Sequence, residues 1–91
     1  MNINDTLKER GARYGAFEDH ARVTQRLKRV VAEEIKRQEK YIEQDQQEAL
    51  DMIFHKIGRI VAGDPNYADS WHDIAGYAML IEKRLAETES I

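Results

Sequence analysis

Apolar residues recur along this chain at intervals of three and four, and no segment alternates strictly between apolar and polar residues. The clearest pattern runs from Leu50 to Val61, where the apolar positions follow the 3.6-residue period of an α-helix. A half-buried β-strand would require a period of two instead. The pattern therefore predicts an all-α protein, and we expect a helical bundle.

The same periodicity divides the chain into four predicted helices, over about 4–12, 17–41, 45–62 and 69–87. Two glycines bracket a predicted turn at 11–15, and the segment 63–67 contains glycine, aspartate and the single proline, which together indicate a strong stop. The fourth helix is apolar on more than one face, which indicates burial both in its own bundle and against a partner chain. We therefore expect a single domain over 1–91 that forms a homo-oligomer.

Composition excludes several classes of protein. With 42% hydrophobic residues and a net charge of −3, the chain is too apolar to be disordered, and it has no apolar run of the about 20 residues that a membrane span needs. The absence of cysteine excludes disulfides and thiolate metal sites and favours a cytoplasmic location. The acidic charge argues against nucleic acid as a partner, although arginines at 22, 26 and 29 leave a weak nucleic-acid alternative open.

Two predicted helices carry pairs of carboxylates at helical spacing. Glu48 and Asp51 share one face of the third helix, and Asp69 and Asp73 share one face of the fourth. Antiparallel packing of these helices could direct all four side chains into one space. Four carboxylates arranged in this way suit a hard cation, Mg²⁺ or Mn²⁺, which would in turn bind a di- or triphosphate. The alternative is a solvated acidic face on which Asp69 caps its helix.

Several other side chains are candidates for ligand binding. Lys56 and Arg59 lie on the third helix near the carboxylates, where they either hold phosphate oxygens or pair with those acids. His55 is a candidate hydrogen-bond partner on the same helix. Tyr14, in the turn beside Arg13, is expected to stack on a ring or to cap a pocket.

Long segments of the chain resemble a known family. The segments 9–20, 48–60 and 63–78 resemble a small domain family of uncharacterised function that is frequent in phages and prophages. This resemblance covers nearly the whole chain except 32–46. It implies a protein encoded by a phage or prophage that acts in the cytoplasm of a bacterial host cell, and it implies no established activity.

The third and fourth helices are also similar, more distantly, to all-α nucleotide pyrophosphohydrolases of the MazG-like group. Those enzymes carry an E-x-x-E pair and a later E-x-x-D pair, and they assemble as dimers or tetramers. Glu48 and Asp51 match the first pair and Asp73 matches the last position, but the third position falls on Ser70, for which Asp69 would have to substitute. The resemblance implies that these carboxylates bind Mg²⁺ and that water attacks between the α and β phosphates, with Glu48, Asp51 and Asp73 as catalytic residues.

Three functions are consistent with these features. The first is a magnesium-dependent pyrophosphohydrolase of (deoxy)nucleoside triphosphates. The second is a nucleotide binder without catalysis, for example a phage protein that sequesters a signalling nucleotide. The third is a small helical protein that blocks a host protein by helix packing.

Overall fold

A computed structural model describes residues 2–89 of the chain. It contains four α-helices, which we name α1 (Ile3–Tyr14), α2 (Phe17–Arg37), α3 (Gln44–Ala62) and α4 (Ala68–Glu89). No strand occurs within the described residues. The prediction of an all-α protein with four helices is confirmed, while Met1, Ser90 and Ile91 of the predicted single domain lie outside the described residues.

The first helix begins earlier and ends later than its sequence predicts. The side chain of Asn2 caps it by accepting a hydrogen bond of 3.0 Å from the backbone N–H of Asp5. Gly11 lies inside the helix rather than in a turn, and the chain reverses only at Gly15, whose φ is 81°. The predicted turn at 11–15 was therefore wrong in its first four residues, because one exposed glycine does not stop a capped helix.

The second helix ends four residues before its predicted end. Glu39 adopts a left-handed conformation with φ of 53°, and the N–H of Lys40 then donates to the carbonyl oxygen of Ile35 at 3.0 Å. This hydrogen bond satisfies a carbonyl group that the end of the helix leaves free. The third helix begins with a capping box in which Glu43 and Gln46 satisfy each other's backbone N–H groups.

Helix α3 lies in the middle of the fold. Helices α2 and α4 pack against two sides of it, each antiparallel to it, and within residues 2–89 these outer helices do not pack against each other. Helix α1 contacts α3 and α2. The result is a flat layer of three helices with α1 added at one end, measuring 51 × 29 × 22 Å overall.

Two ion pairs fix the register of the α3–α4 hairpin. Arg84 donates to both carboxylate oxygens of Asp45 at 2.7 and 2.8 Å, and Lys56 Nζ lies 3.0 Å from Asp73 Oδ2. In both pairs the residue numbers add up to 129, as they must when two antiparallel helices keep one constant register. The two pairs lie near opposite ends of the hairpin and are therefore consistent with a single alignment.

Helices α2 and α3 approach closely at Gly58. A Cβ atom there would meet the imidazole of His20 and would lie 2.5 Å from Thr24 Oγ1. His20 and Thr24 are both buried, and the Nε2–H of His20 donates to the carbonyl oxygen of His55 at 3.0 Å. The absence of a side chain at Gly58 is therefore what allows this contact.

The hydrophobic core is thin. Its buried apolar residues are Ala49, Phe54 and Ile60, and no described side chain is fully buried. Within residues 2–89 helix α4 packs only against α3, and its Trp71 remains 55% exposed. None of the described helices has both the length and the apolar character that crossing a membrane requires.

Candidate functional site

The four predicted metal ligands are spread along the α3–α4 hairpin. In the observed register Glu48 lies level with residue 81 of α4, which is twelve residues beyond Asp69. At the helical rise of 1.5 Å per residue, these two carboxylates are separated by about 18 Å along the hairpin axis. Asp51 lies level with residue 78, five residues from Asp73, which corresponds to about 7.5 Å.

Three of these carboxylates already have partners in the protein. Asp51 accepts a hydrogen bond of 3.0 Å from the amide of Gln47, and Asp69 accepts one of 3.1 Å from the hydroxyl of Tyr67. The hydrogen bond from Lys56 holds the pKa of Asp73 below its ordinary value. Glu48 is exposed.

The arrangement does not fit a single cation within one chain. Among residues 2–89, no group of three or more histidine, aspartate and glutamate side chains lies close enough together to hold a metal ion. A Mg²⁺ ion demands several oxygen ligands in near-octahedral geometry at about 2.0–2.1 Å, and carboxylates more than a turn apart cannot supply them together. The described chain alone thus gives no support to magnesium binding by these residues, which stays a prediction.

Lys56 takes the second of its two predicted roles, pairing with an acid, and His55 packs against another histidine. Lys56 is 9% exposed and is engaged with Asp73, so it has no free access to a phosphate group. The ring of His55 packs edge-on against His20, with centroids 4.4 Å apart. Burial, together with the nearby positive charge of Arg59, lowers the pKa of His55 to about 4. This imidazole is therefore uncharged at neutral pH.

Arg59 and Tyr14, the other two predicted ligand-binding residues, do come together. The guanidinium of Arg59 lies over the ring of Tyr14, 4.2 Å from its centroid, in a cation–π contact that joins α3 to the end of α1. Tyr14 is half-buried at the last position of α1 rather than in an exposed loop.

This contact forms one wall of a cleft of about 340 Å³ between α1 and α3. Thr6 and Tyr14 line it together with four charged residues. These are three arginines and one glutamate, Arg10, Arg13, Arg59 and Glu9. Their formal charges add up to +2. Only Arg13 is paired with the glutamate, at 3.6 Å, so the cleft keeps an excess of guanidinium groups. We call it the arginine cleft.

Tyr67 adds a second ring behind this cleft. The guanidinium of Arg13 lies 5.3 Å from the centroid of the Tyr67 ring, and the rings of Tyr67 and Tyr14 meet edge to face at 6.0 Å. The hydrogen bond that Tyr67 donates to Asp69 raises the pKa of its phenol. The two tyrosine rings thus contact each other, and each of them also contacts one arginine of the cleft.

Sequence reasoning missed Arg10 as a member of this site and treated Arg13 only as a neighbour of Tyr14. Helical spacing could have identified Arg10, because positions 10, 13 and 14 share one face of a helix. The predicted turn at 11–15 concealed it, since a turn at Gly11 would have separated Arg10 from the other two residues.

Comparison with known proteins gives one match. No curated protein and no solved structure matches this chain. A family model described as a domain of unknown function matches residues 3–85, which covers all four helices except the last residues of α4. The chain therefore belongs to the family of domains of unknown function designated DUF6378.

Proposed function

We propose that this protein binds a nucleotide through its phosphates in the arginine cleft, without hydrolysing it. The observation that carries the proposal is the placement of Arg10, Arg13 and Arg59 around one cleft beside the ring of Tyr14. This function is the second of the three that the sequence suggested.

Phosphate groups are the ligand that best matches this cleft. A guanidinium group donates hydrogen bonds in a planar fork that pairs with two phosphate oxygens at once, and it keeps its charge at any physiological pH. Three such groups with one acidic neighbour favour a ligand with more than one negative charge. The volume of about 340 Å³ lies at the lower end of the range for small-molecule sites and has room for a nucleotide.

The aromatic side chains favour a ligand that also carries a ring. Tyr14 faces the cleft, and Tyr67 stands edge-on behind it. A nucleobase stacks on a tyrosine ring whatever its hydrogen-bonding edge, because every base has a π-face. An inorganic phosphate would use the arginines alone, so the difference in affinity between phosphate and nucleotide measures the contribution of the rings.

Isothermal titration calorimetry with a panel of linear and cyclic nucleotides and inorganic pyrophosphate tests the proposal. We expect at least one nucleotide to bind, and we expect Arg59→Ala to weaken that binding by roughly tenfold or more, as the loss of a charge-assisted hydrogen bond does. Arg29→Ala is the matched control, because it removes the same charge from an exposed position on α2 outside the cleft. Failure of the whole panel to bind, or equal weakening by both variants, would refute the proposal.

Hydrolysis between the α and β phosphates remains a separate prediction from the resemblance to MazG-like enzymes. The spread of Glu48, Asp51 and Asp73 along the hairpin is the reason why we favour binding without turnover. Incubating the protein with a panel of deoxynucleoside triphosphates and Mg²⁺ distinguishes the two functions. Release of monophosphate and pyrophosphate that Asp51→Asn abolishes would show that the protein is a pyrophosphohydrolase.

A further inference from the structure

The layer formed by α2, α3 and α4 has one face that is apolar and open to solvent. Two shallow grooves cross this face, and Ile42 lines both of them, so the grooves are continuous. Each helix contributes two of the main residues, which are Val30, Val31, Leu50, Ile53, Ala78 and Ile81. We call it the open apolar face.

This face lies on the opposite side of the layer from the arginine cleft. Helix α3 is central and directs Leu50 and Ile53 to one side of the layer, while residues about half a turn away, such as Arg59, lie on the other side. Because α2 and α4 cover only the flanks of α3, no element within residues 2–89 covers the open apolar face.

The exposed area of the chain is too large for a folded monomer of its size. Its accessible surface is 7141 Å². A monomer of 10.6 kDa is expected to expose about 5,500 Å². The excess of about 1,600 Å² is within the range that a permanent homodimer removes from each of its two chains. The radius of gyration of 15.8 Å, against about 12 Å for a compact chain of this length, indicates the same incomplete packing.

We propose that the open apolar face is the interface of a homodimer, in which two layers pack face to face about a twofold axis parallel to α3. This inference goes beyond the proposed nucleotide binding, because the two arginine clefts would then lie on the outer surfaces of the dimer. The dimer completes the core, since the apolar residues of one layer are covered by the same residues of the other.

The direction of the axis follows from the charges of the outer helices. Helix α2 contains six basic and four acidic residues, a net charge of +2, and α4 contains two basic and five acidic residues, a net charge of −3. A twofold axis parallel to α3 places α2 of one copy over α4 of the other, so opposite charges face each other. An axis across α3 would instead place each outer helix over its own copy and oppose like charges, which is unfavourable.

Sedimentation equilibrium of the full chain tests the dimer. We expect the wild type at about twice 10.6 kDa and the Val30→Glu variant at half the mass of the wild type. Leu80→Glu is the matched control and should remain dimeric. Val30 and Leu80 are each 65% exposed in the monomer, but Leu80 lines a different groove, beside His72 and Asp73. Since Val30 is exposed in the isolated chain, its replacement leaves the monomer fold intact.

Oxidative cross-linking tests the direction of the axis and does not depend on the Val30 variant. The chain has no cysteine, so a single introduced thiol can only pair with its own copy. Leu50→Cys and Ile57→Cys lie two turns apart on the same side of α3. With the axis parallel to α3, each residue lies opposite its counterpart, and we expect both variants to form disulfide-linked dimers, while Leu80→Cys does not.

Three results would overturn the proposal. These are a wild type that sediments at 10.6 kDa at every concentration, dissociation by Leu80→Glu instead of Val30→Glu, and cross-linking of neither thiol on α3. Cross-linking of only one of them would refute the parallel axis. Retention of nucleotide binding by the Val30→Glu monomer would show that the cleft does not need the dimer.

Discussion

Lys56 and Asp73 form an ion pair that joins α3 to α4, with Nζ and Oδ2 3.0 Å apart. The two partners differ in environment, because the lysine side chain is buried while the aspartate side chain remains 42% exposed. The pair therefore compensates a largely buried charge and joins the two helices in one register.

This asymmetry predicts that removing the aspartate is more harmful than removing both charges. Asp73→Asn leaves the ammonium of Lys56 buried beside a neutral group, and we expect it to lower the midpoint of thermal unfolding. The double variant Lys56→Met/Asp73→Asn should regain most of the loss, because methionine fills the space of the lysine stem without a charge. Circular dichroism melts of the three proteins measure this, and a double variant less stable than Asp73→Asn would contradict it.

Gly58 and Gly76 should respond oppositely to alanine. Gly58→Ala places a methyl group against His20 and Thr24 and forces α2 away from α3, at a cost of about 1–3 kcal/mol. Gly76→Ala meets no atom within 4 Å, and it removes a flexible residue from the interior of α4, so it should stabilise the protein by about 0.5–1 kcal/mol. Urea unfolding gives both values, and equal effects at the two sites would show that the approach of α2 to α3 is not close.

The protein should lose stability as the pH falls from about 6.5 towards about 4. In the unfolded chain the His55 imidazole gains a proton near its ordinary pKa of about 6.5, whereas in the folded protein burial holds its pKa at about 4. Between these values the unfolded state binds more protons than the folded state, so unfolding becomes more favourable as the pH falls, and the loss levels off below about 4.

Urea midpoints at neutral pH and at pH near 5 measure this effect. His55→Gln should reduce the difference between the two midpoints, because glutamine does not titrate. His72→Gln is the control, since His72 is an exposed histidine on α4, and it should leave the difference unchanged. A difference that persists in full in the His55→Gln variant would assign the pH dependence to other groups.

Removal of divalent cations should not weaken ligand binding in the arginine cleft. The positive charges that line this cleft belong to arginine side chains, and Glu9 is its only carboxylate among the described residues. We expect a nucleotide that binds in buffer to bind at least as tightly after addition of EDTA, and less tightly as salt is added, because salt screens the guanidinium groups. A loss of binding in EDTA that Mg²⁺ restores would indicate that a metal site contributes after all.

Much of the fold could be predicted because the spacing of apolar residues within each segment indicates a helix. The apolar stripe from Leu50 to Val61 identified α3, and the stop at 63–67 identified the loop before α4. The end of α2 was not predictable in the same way, because Glu39 rather than a glycine adopts the left-handed conformation there. The sequence therefore lacked the residue type by which such an end is usually recognised.

The candidate site was less predictable because spacing describes one helix at a time. It placed Glu48 beside Asp51 and Asp69 beside Asp73, but it did not determine how far α4 is shifted along α3. That shift depends on the Asp45–Arg84 and Lys56–Asp73 pairs, and neither follows from periodicity. The contact between Arg59 and Tyr14 depends on the path of α1 over α3, which is a tertiary feature as well.

The turn at Gly15 and the turn at Gly63 pack directly against each other. A Cβ atom at Gly15 would collide with the backbone of Ala62, and one at Gly63 would collide with the backbone of Arg13 and Tyr14, while the N–H of Asp64 donates to the carbonyl oxygen of Arg13 at 2.8 Å. Each glycine thus leaves room for the backbone beside the other. During evolution these positions are expected to behave as one unit across the family, retained together or lost together with the joint that they form.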